Sequence, residues 1–181
     1  VVYTQPKLTT TGKKKPEILE IKLNSDLDNA KKLLEENEIK INDIFNENQY
    51  VDIHAITKGK GLQGSIKRFG ISLKQKKSEK HKRAAGNLGA WTPSKVSFRV
   101  PQPGQMGFHK RMEYNKLILK INEDSKSINP KSGFKKYGII KNSYLIIKGS
   151  IPGAIKRPIV LTPSIRKTNQ AKTVFKEDLQ W

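Results

Sequence analysis

The hydrophobic and polar positions of the 181-residue chain predict mainly short strands. Residues 50–57 alternate in polarity and are rich in β-branched and aromatic residues, as is typical of a strand. Short apolar runs predict further strands at 117–121 and 159–161. Residues 137–140 and 144–147 flank Lys141-Asn142-Ser143 and predict a hairpin. Short strands punctuated by Gly and Pro favour a β-barrel over a helical bundle.

A helix is predicted in the first third of the chain, from about 26 to 38. Ser25 is suited to be the N-cap, and Asp28 supplies an acid three residues later. Apolar residues at 27, 30, 33 and 34 form a stripe with helical spacing. Of all the elements, this helix has the strongest support in the sequence pattern.

The charge of the chain is large and unevenly distributed. There are 36 Lys and Arg against 16 Asp and Glu, which gives a net charge of +20. A small domain usually has a net charge of magnitude about 2 to 8. Residues 1–52 hold eight cations and ten acids, and residues 113–181 hold 14 cations and five acids. Residues 53–112 hold 14 cations and a single acid, Glu79. The sequence therefore predicts a polyanionic partner, bound mainly at residues 53–112.

The most basic stretch also lacks the residues needed for a core. Residues 72–90 contain two large aliphatic side chains, Leu73 and Leu88, which are too few to bury. Trp91 follows, and residues 96–100 then alternate as a strand would. We predict an arm that leaves the core, turns with Trp91 exposed near its tip, and returns as a strand.

Residues 59–64 match the G-x-G-x-x-G pattern of dinucleotide-binding loops. A predicted strand precedes the motif, but residues 65–71 lack a helical apolar stripe and are interrupted by Gly70, so no helix is expected there. The acid at the expected distance, Glu79, lies among lysines. A lone match of this kind is a weak signal, and small residues beside cations favour a close approach to a polyanion.

Catalytic and metal chemistry find no support in the sequence. There are no cysteines, and His54, His81 and His109 are too far apart for metal-ligand spacing. No Ser-His-Asp, H-E-x-x-H or P-loop arrangement occurs. No run approaches the roughly 18 apolar residues of a membrane span, and no signal-type segment opens the chain. We expect a soluble, intracellular protein that is not an enzyme, binds no cofactor and contacts no membrane.

Nucleic acid is the polyanion that fits this pattern best. Cations release counterions from phosphates, small residues allow close approach, and an exposed Trp offers a stacking surface. A solvated basic face is the simpler alternative, but such faces usually mix both signs. Composition alone leaves a nonspecific, chromatin-like DNA or RNA binder open.

Several segments carry a more specific signal: Thr57-Lys58-Gly59-Lys60-Gly61, Lys67-Arg68-Phe69-Gly70, Gly86-Asn87-Leu88-Gly89-Ala90-Trp91-Thr92-Pro93-Ser94, Gly104-Gln105-Met106-Gly107-Phe108-His109-Lys110-Arg111, Asn115-Lys116 and Lys148-Gly149-Ser150-Ile151-Pro152-Gly153. In this order they resemble the archaeal and eukaryotic form of the ribosomal protein L3 family. The resemblance extends from Val1 to about Arg166.

The resemblance implies a mainly β fold with a short helix: a six-stranded translation-protein-type β-barrel with a long basic finger. Family members begin well upstream, so the barrel should be partial here. We expect barrel residues at 1–71, the basic finger at 72–99, a return segment with the remaining strands at 100–163, and a C-terminal tail at 164–181. The resemblance further implies a finger whose tip, Trp91, reaches toward the peptidyl transferase centre, and a role in subunit assembly.

The implied partners are large-subunit rRNA, neighbouring ribosomal proteins and a possible separate chain that carries the N-terminal half, all within the cytoplasmic large subunit. The charge pattern and the resemblance together give these candidate RNA-binding residues: Lys58, Lys60, Gln63, Lys67, Arg68, Lys74, Lys76, Lys77, Lys80, His81, Lys82, Arg83, Trp91, Lys95, Arg99, Gln105, His109, Lys110, Arg111, Asn115 and Lys116.

Overall fold

A computed structural model of the chain describes residues 1–22, 28, 31–32, 35, 38–78 and 80–166. The chain divides into two compact units, one formed by residues 1–55 with 111–181 and the other by Ile56–Lys110. The helix predicted at 26–38 lies largely outside the described residues, although Asp28, Lys31, Lys32 and Glu35 are helical. Most of the predicted tail also lies outside them.

Short strands dominate the described residues, which confirms the mainly β fold class. The elements in chain order are β1 (Val2–Tyr3), a 3-10 turn (Pro6–Leu8), β2 (Ile18–Leu19), α1 (Ile41–Ile44), β3 (Tyr50–Ile56), β4 (Leu62–Gln63), α2 (Ser65–Phe69), β5 (Gly104–Gln105), β6 (Lys110–Asn122), β7 (Tyr144–Ile147) and β8 (Val160–Pro163). The strands predicted at 50–57, 117–121 and 159–161 are present as β3, β6 and β8.

The largest sheet has four strands in the order β7-β6-β3-β8. Strand β8 pairs antiparallel with β3, with Val51 opposite Pro163, and β7 pairs antiparallel with β6, with Ile118 opposite Ile147. Strands β1 and β2 form a separate two-stranded sheet. Among the described residues the large sheet does not close on itself, as expected for a partial barrel.

The core lies against the two central strands. Val51, Ile53 and Ile118 are fully buried, and Phe45 packs with Val51 and Ile118. Ile41, Ile121 and Leu161 complete the cluster from α1, β6 and β8. Strand β3 is buried over most of its length: Val51, Ile53 and Ala55 lie on its apolar face, and the polar Asp52 is buried on the other face.

A buried carboxylate joins three parts of this unit. Asp52, on β3, has no exposed surface. Its Oδ1 accepts a hydrogen bond from the Asn115 amide at 2.8 Å, and its Oδ2 accepts one from the Ile165 amide at 3.1 Å. A buried carboxylate requires such donors, because an unpaired buried charge is strongly unfavourable. Asp52 thus holds β6 and the chain after β8 to the central strand.

The hairpin predicted around Lys141-Asn142-Ser143 is wrong. Strand β7 pairs with β6 instead of with residues 137–140. The Asn129 side chain donates a hydrogen bond to the Ile140 carbonyl oxygen at 2.8 Å and accepts one from the Ile140 amide at 2.9 Å. Thr10 Oγ1 donates to the Ile139 carbonyl oxygen. Side chains therefore satisfy backbone groups that a hairpin partner would have bonded.

Candidate nucleic-acid interface

The unit formed by Ile56–Lys110 is organised around the glycine loop, residues 58–64. The loop runs beside residues 105–109: the Lys60 amide donates to the Met106 carbonyl oxygen at 2.9 Å, and the Met106 amide donates to the Gly61 carbonyl oxygen at 2.9 Å. The Thr57 amide donates to the His109 carbonyl oxygen at 3.0 Å. Leu62 and Gln63 continue the pairing with β5. These bonds make the loop part of an antiparallel ribbon.

One glycine in this ribbon allows two backbones to meet. Gly107 has φ +72°, a value that other residues rarely adopt. A Cβ atom built on it would lie 2.0 Å from the Lys58 carbonyl oxygen. The side chain must therefore be absent here for the glycine loop to lie against residues 105–109.

A one-turn helix follows the loop, so the expectation of no helix after the motif was wrong. Helix α2 spans Ser65–Phe69 and is capped at its C-terminus by Gly70. Gly70 has φ 70°, and its amide donates a hydrogen bond to the Ile66 carbonyl oxygen. A single turn does not need a long apolar stripe, and of its residues Ser65 alone is buried. In a dinucleotide-binding loop, by contrast, a full crossover helix starts directly at the glycine turn.

Arg68, a candidate RNA-binding residue, is bonded to its own chain. Its Nε donates to the Gln105 carbonyl oxygen at 3.1 Å, and its Nη1 donates to the Gln102 carbonyl oxygen at 2.9 Å. Its Cζ also lies 4.9 Å from the centre of the Phe69 ring. The guanidinium braces α2 against residues 102–105, and any RNA contact by Arg68 stays a prediction.

The two candidate glutamines have similar local roles. Gln63 Nε2 donates to the Lys60 carbonyl oxygen at 2.6 Å. Gln105 Nε2 lies 3.2 Å from the Met106 carbonyl oxygen and 3.1 Å from the Gly107 carbonyl oxygen. Both amides therefore stabilise the ribbon that presents the neighbouring cations.

Most of the remaining candidates of this unit are exposed. Exposed side chains belong to Lys58, Lys60, Lys67, Lys76, Lys77, Lys80, His81, Lys82, Arg83, Lys95, Arg99, His109 and Lys110, whereas that of Lys74 is half-buried. Arg111, also exposed, begins the return into the other unit. Within the described residues, no ion pair engages a cation between Lys58 and Arg99.

The basic finger, residues 72–99, contains turns and bends and no helix or strand among its described residues. The Lys74 amide donates to the Lys82 carbonyl oxygen at 3.2 Å and thereby brings two parts of the finger together. The strand predicted at 96–100 is wrong: Phe98 is 90% exposed, and the Val100 amide bonds to the Ser97 carbonyl oxygen in a turn. Alternation alone did not supply a neighbouring strand to pair with.

Trp91 is 95% exposed, which confirms the prediction that its side chain is not part of a core. The residues around it are exposed as well. An indole in water loses the free energy that burial would provide, about 1.5–3 kcal/mol for a large apolar side chain. An exposed ring amid cations is therefore suited to stacking on a partner.

Asn115 and Lys116 belong to the other unit, and both are engaged within it. Asn115 has φ 53° in the middle of β6, and its Oδ1 accepts a hydrogen bond from Ser164. Lys116 Nζ lies 2.7 Å from Glu113 Oε2, and both side chains are partly buried. These contacts fix the two residues before any partner binds.

Sequence reasoning missed two features of the unit that contains Asp52. Asp52 itself matches no motif, and its role becomes visible only through the amides that bond to it. The exposed lysines at 126, 131, 135 and 136 lie outside residues 53–112, where the charge pattern predicted the partner, although their close spacing in the sequence is a usable signal.

No group of three or more His, Asp or Glu side chains among the described residues is placed to hold a metal ion. None of the helices in the described part of the chain has the length and apolar character needed to cross a bilayer.

Comparison with known proteins identifies the family to which the chain is similar. The family model described as Ribosomal protein L3 matches residues 1–181. Large ribosomal subunit protein uL3 of Methanococcus aeolicus is 46% identical over 172 residues, covering 92% of this chain and 52% of the relative. The uL3 proteins of Methanobrevibacter smithii and Methanocaldococcus jannaschii are each 46% identical, covering 95% and 92% of this chain and 54% and 51% of the relatives.

The chain therefore spans about half the length of these curated relatives. The match to the family model nevertheless covers the glycine loop, the basic finger and the four-stranded sheet together. On this basis, the chain belongs to the ribosomal protein L3 family.

Proposed function

We propose that this chain is a structural constituent of the large ribosomal subunit that binds and organises large-subunit rRNA. The observation that carries the proposal is the 14-to-1 excess of cations over acids at residues 53–112, with most of these cations exposed. Phosphates packed closely in a folded RNA repel one another, and interleaved Lys and Arg relieve that repulsion. The chain performs no catalysis in this role.

The basic finger is proposed to enter the folded RNA, with Trp91 at its tip directed toward the peptidyl transferase centre. Support comes from the family resemblance, from the exposure of Trp91 and from the few backbone hydrogen bonds among the described residues of the finger. A segment with so little internal structure gains order from its partner. Early binding of such a segment would also assist subunit assembly.

The rigid counterpart of the finger is proposed to be the ribbon formed by the glycine loop and residues 105–109. Arg68, Gln63 and Gln105 hold its backbone, so Lys58, Lys60 and Lys67 are presented without reorganisation. Binding groups that are already positioned lose less entropy on association. The boundaries at 71, 99 and 163 remain predictions of this scheme.

Neighbouring ribosomal proteins and a polypeptide that completes the sheet are the proposed protein partners. The outer strands β7 and β8 of the four-stranded sheet are each paired on one side among the described residues. Open strand edges are sites where another strand adds.

A binding comparison tests the proposal. The full chain is titrated with a folded large-subunit rRNA fragment and with duplex DNA of equal phosphate number, both at about 150 mM salt. We expect clear preference for the RNA, because A-form and tertiary-folded RNA present a different surface from B-form DNA. Equal affinity for both would favour the nonspecific, chromatin-like binder instead.

A further inference from the structure

The loop formed by residues 125–140 and strand β7 together line a cavity that the basic ribbon and finger do not explain. Its volume is about 410 Å³, and it is lined by Ser127, Ile128, Asn129, Pro130, Phe134 and Ile146. Small-molecule sites in proteins typically measure about 300–1,000 Å³. The lining contains no charged side chain, and Phe134 remains 38% exposed. An apolar cavity that reaches the surface is thus available to a flat, uncharged group.

Local hydrogen bonds hold the walls of this cavity in place. Asn129 Nδ2 donates to the carbonyl oxygens of Ser125, at 2.7 Å, and Ile140. The Phe134 amide donates to the Gly138 carbonyl oxygen at 2.9 Å, and the Gly138 amide donates to the Phe134 carbonyl oxygen at 2.9 Å. These bonds fix the backbone on both sides of the aromatic ring, so the cavity exists before a ligand binds.

Four exposed lysines are adjacent in the sequence to residues of this apolar lining. Lys131 directly follows Pro130, Lys135 and Lys136 directly follow Phe134, and Lys126 directly precedes Ser127; all four are exposed. No ion pair engages these four lysines within the described part of the chain. A ligand with an apolar flat group and negative charges beside it complements this arrangement.

We propose that this cavity receives an unstacked nucleobase of the bound RNA, which stacks on Phe134 while the four lysines neutralise the adjoining phosphates. The inference rests on the proposed function, since it takes RNA as the partner. Single-stranded bases that stack on aromatic side chains are a common mode of RNA recognition. An acidic peptide is less favoured, because the Asn129 amide is already bonded to the chain and leaves no side-chain amide for a peptide backbone.

The same geometry predicts weak discrimination among bases. Asn129 Nδ2 and Oδ1 are both hydrogen-bonded to Ile140. Among the other lining residues, only Ser127 has a side chain that can form a hydrogen bond. Stacking is tolerant of sequence because every base has an aromatic face. A pocket of this kind should distinguish a base from its absence much better than one base from another.

The test uses the full chain and two single-stranded RNA pentanucleotides that differ in the central position, one with a base and one abasic. Fluorescence anisotropy measures both affinities at the same salt concentration, so the phosphate contribution is shared. We expect the base-containing RNA to bind about five-fold or more tightly, the lower end of the range for stacking. In Phe134→Ala this preference should be clearly reduced, with any remainder due to the exposed Trp91 ring, and Phe134→Tyr should restore it.

Ile139→Ala is the matched control, because Ile139 is an exposed apolar residue of the same loop that does not line the cavity. It should keep the difference between the two RNAs. If Phe134→Ala fails to fold, photocrosslinking of the wild-type chain to an RNA with a central 4-thiouridine decides the question. The proposal requires crosslinks within residues 127–146.

Three results would overturn the proposal. The first is an undiminished base preference in folded Phe134→Ala, or crosslinks that exclude residues 127–146. The second is equal binding of both RNAs by the wild type together with Phe134-dependent binding of an acidic peptide, which would assign the cavity to a protein partner. Either of these leaves the proposed rRNA function standing. The third, no binding of any RNA, would remove both.

Discussion

Arg68 Nε donates a hydrogen bond of 3.1 Å to the Gln105 carbonyl oxygen, and this bond joins α2 to the strand that pairs with the glycine loop. The nearby Nη1 bond to Gln102 uses a second arm of the same planar guanidinium. A lysine ammonium cannot reproduce this fork, because it is a compact charge without fixed donor geometry. Replacement of Arg68 by Lys would therefore keep the positive charge but lose the two hydrogen bonds to residues 102 and 105.

Arg68→Lys should loosen the ribbon while it leaves the net charge unchanged. We expect the free energy of local opening, measured by hydrogen exchange at the Lys60 and Met106 amides, to fall by about 1 kcal/mol, a typical value for a hydrogen bond in a protein. Lys67→Ala is the control, since Lys67 is exposed on the same helix. The control should weaken RNA binding without faster exchange, and equal exchange in both variants would contradict the brace assigned to Arg68.

Gly107→Ala should destabilise the unit formed by Ile56–Lys110 by about 3 kcal/mol. The positive φ costs about 1–3 kcal/mol for a residue with a side chain, and the added methyl group would collide with the Lys58 carbonyl oxygen. Limited proteolysis and hydrogen exchange measure the loss. Gly86→Ala is the matched control, because open space surrounds Gly86; similar damage from both changes would show that the close approach at Gly107 is unimportant.

Asp52→Asn should lower the free energy of unfolding by about 1.5–3 kcal/mol, the range for hydrogen bonds to charged groups. The two carboxylate oxygens of Asp52 accept hydrogen bonds from two backbone amides. Asn keeps one acceptor oxygen, but its NH2 group would face the other amide, which is also a donor. Urea denaturation compares this variant with the control Asp124→Asn. The Asp124 carboxylate is exposed and accepts a hydrogen bond from the Lys126 amide. Asp124→Asn should change stability by well under 1 kcal/mol, and an equal loss would argue against the role of Asp52 as an anchor.

Trp91→Ala should leave the fold intact and alter ribosome function. Because the side chain is 95% exposed, its removal should change the free energy of unfolding by less than about 0.5 kcal/mol. In reconstituted large subunits we expect slower aminoacyl-tRNA accommodation, measured by pre-steady-state kinetics. Leu73→Ala, at the base of the finger, serves as the comparison. Unchanged accommodation in Trp91→Ala would remove the assignment of Trp91 to the tip.

The central strands were predictable because their signal is local. Residues 50–57 and 117–121 are rich in β-branched and apolar residues, which favour strands over other elements. Both segments lie in strands. Residues 96–100 have the same alternation and form a turn, because alternation does not specify a pairing partner. The partner of β7 was also mistaken: β6 is distant in the sequence, and no local pattern marks that pairing.

The candidate interface was predictable in its charge and less so in its geometry. The excess of lysine and the exposure of Trp91 could be predicted, because residues 72–90 contain too few large apolar side chains to form a core. The bonds of Arg68, Gln63 and Gln105 could not be predicted, because their acceptors are main-chain carbonyl groups that have no sequence signature. Several candidate RNA-binding side chains are therefore bonded to the backbone of their own chain. They stabilise the proposed RNA-binding surface.

Sedimentation of native cell extract through a sucrose gradient, with immunodetection of this chain in each fraction, tests the central claim most directly. The account predicts that the chain migrates with large ribosomal subunits and stays with them through a high-salt wash, because buried contacts are screened far less than surface charge. Migration with chromatin, or release to the top of the gradient under the same wash, would contradict a structural role in the large subunit.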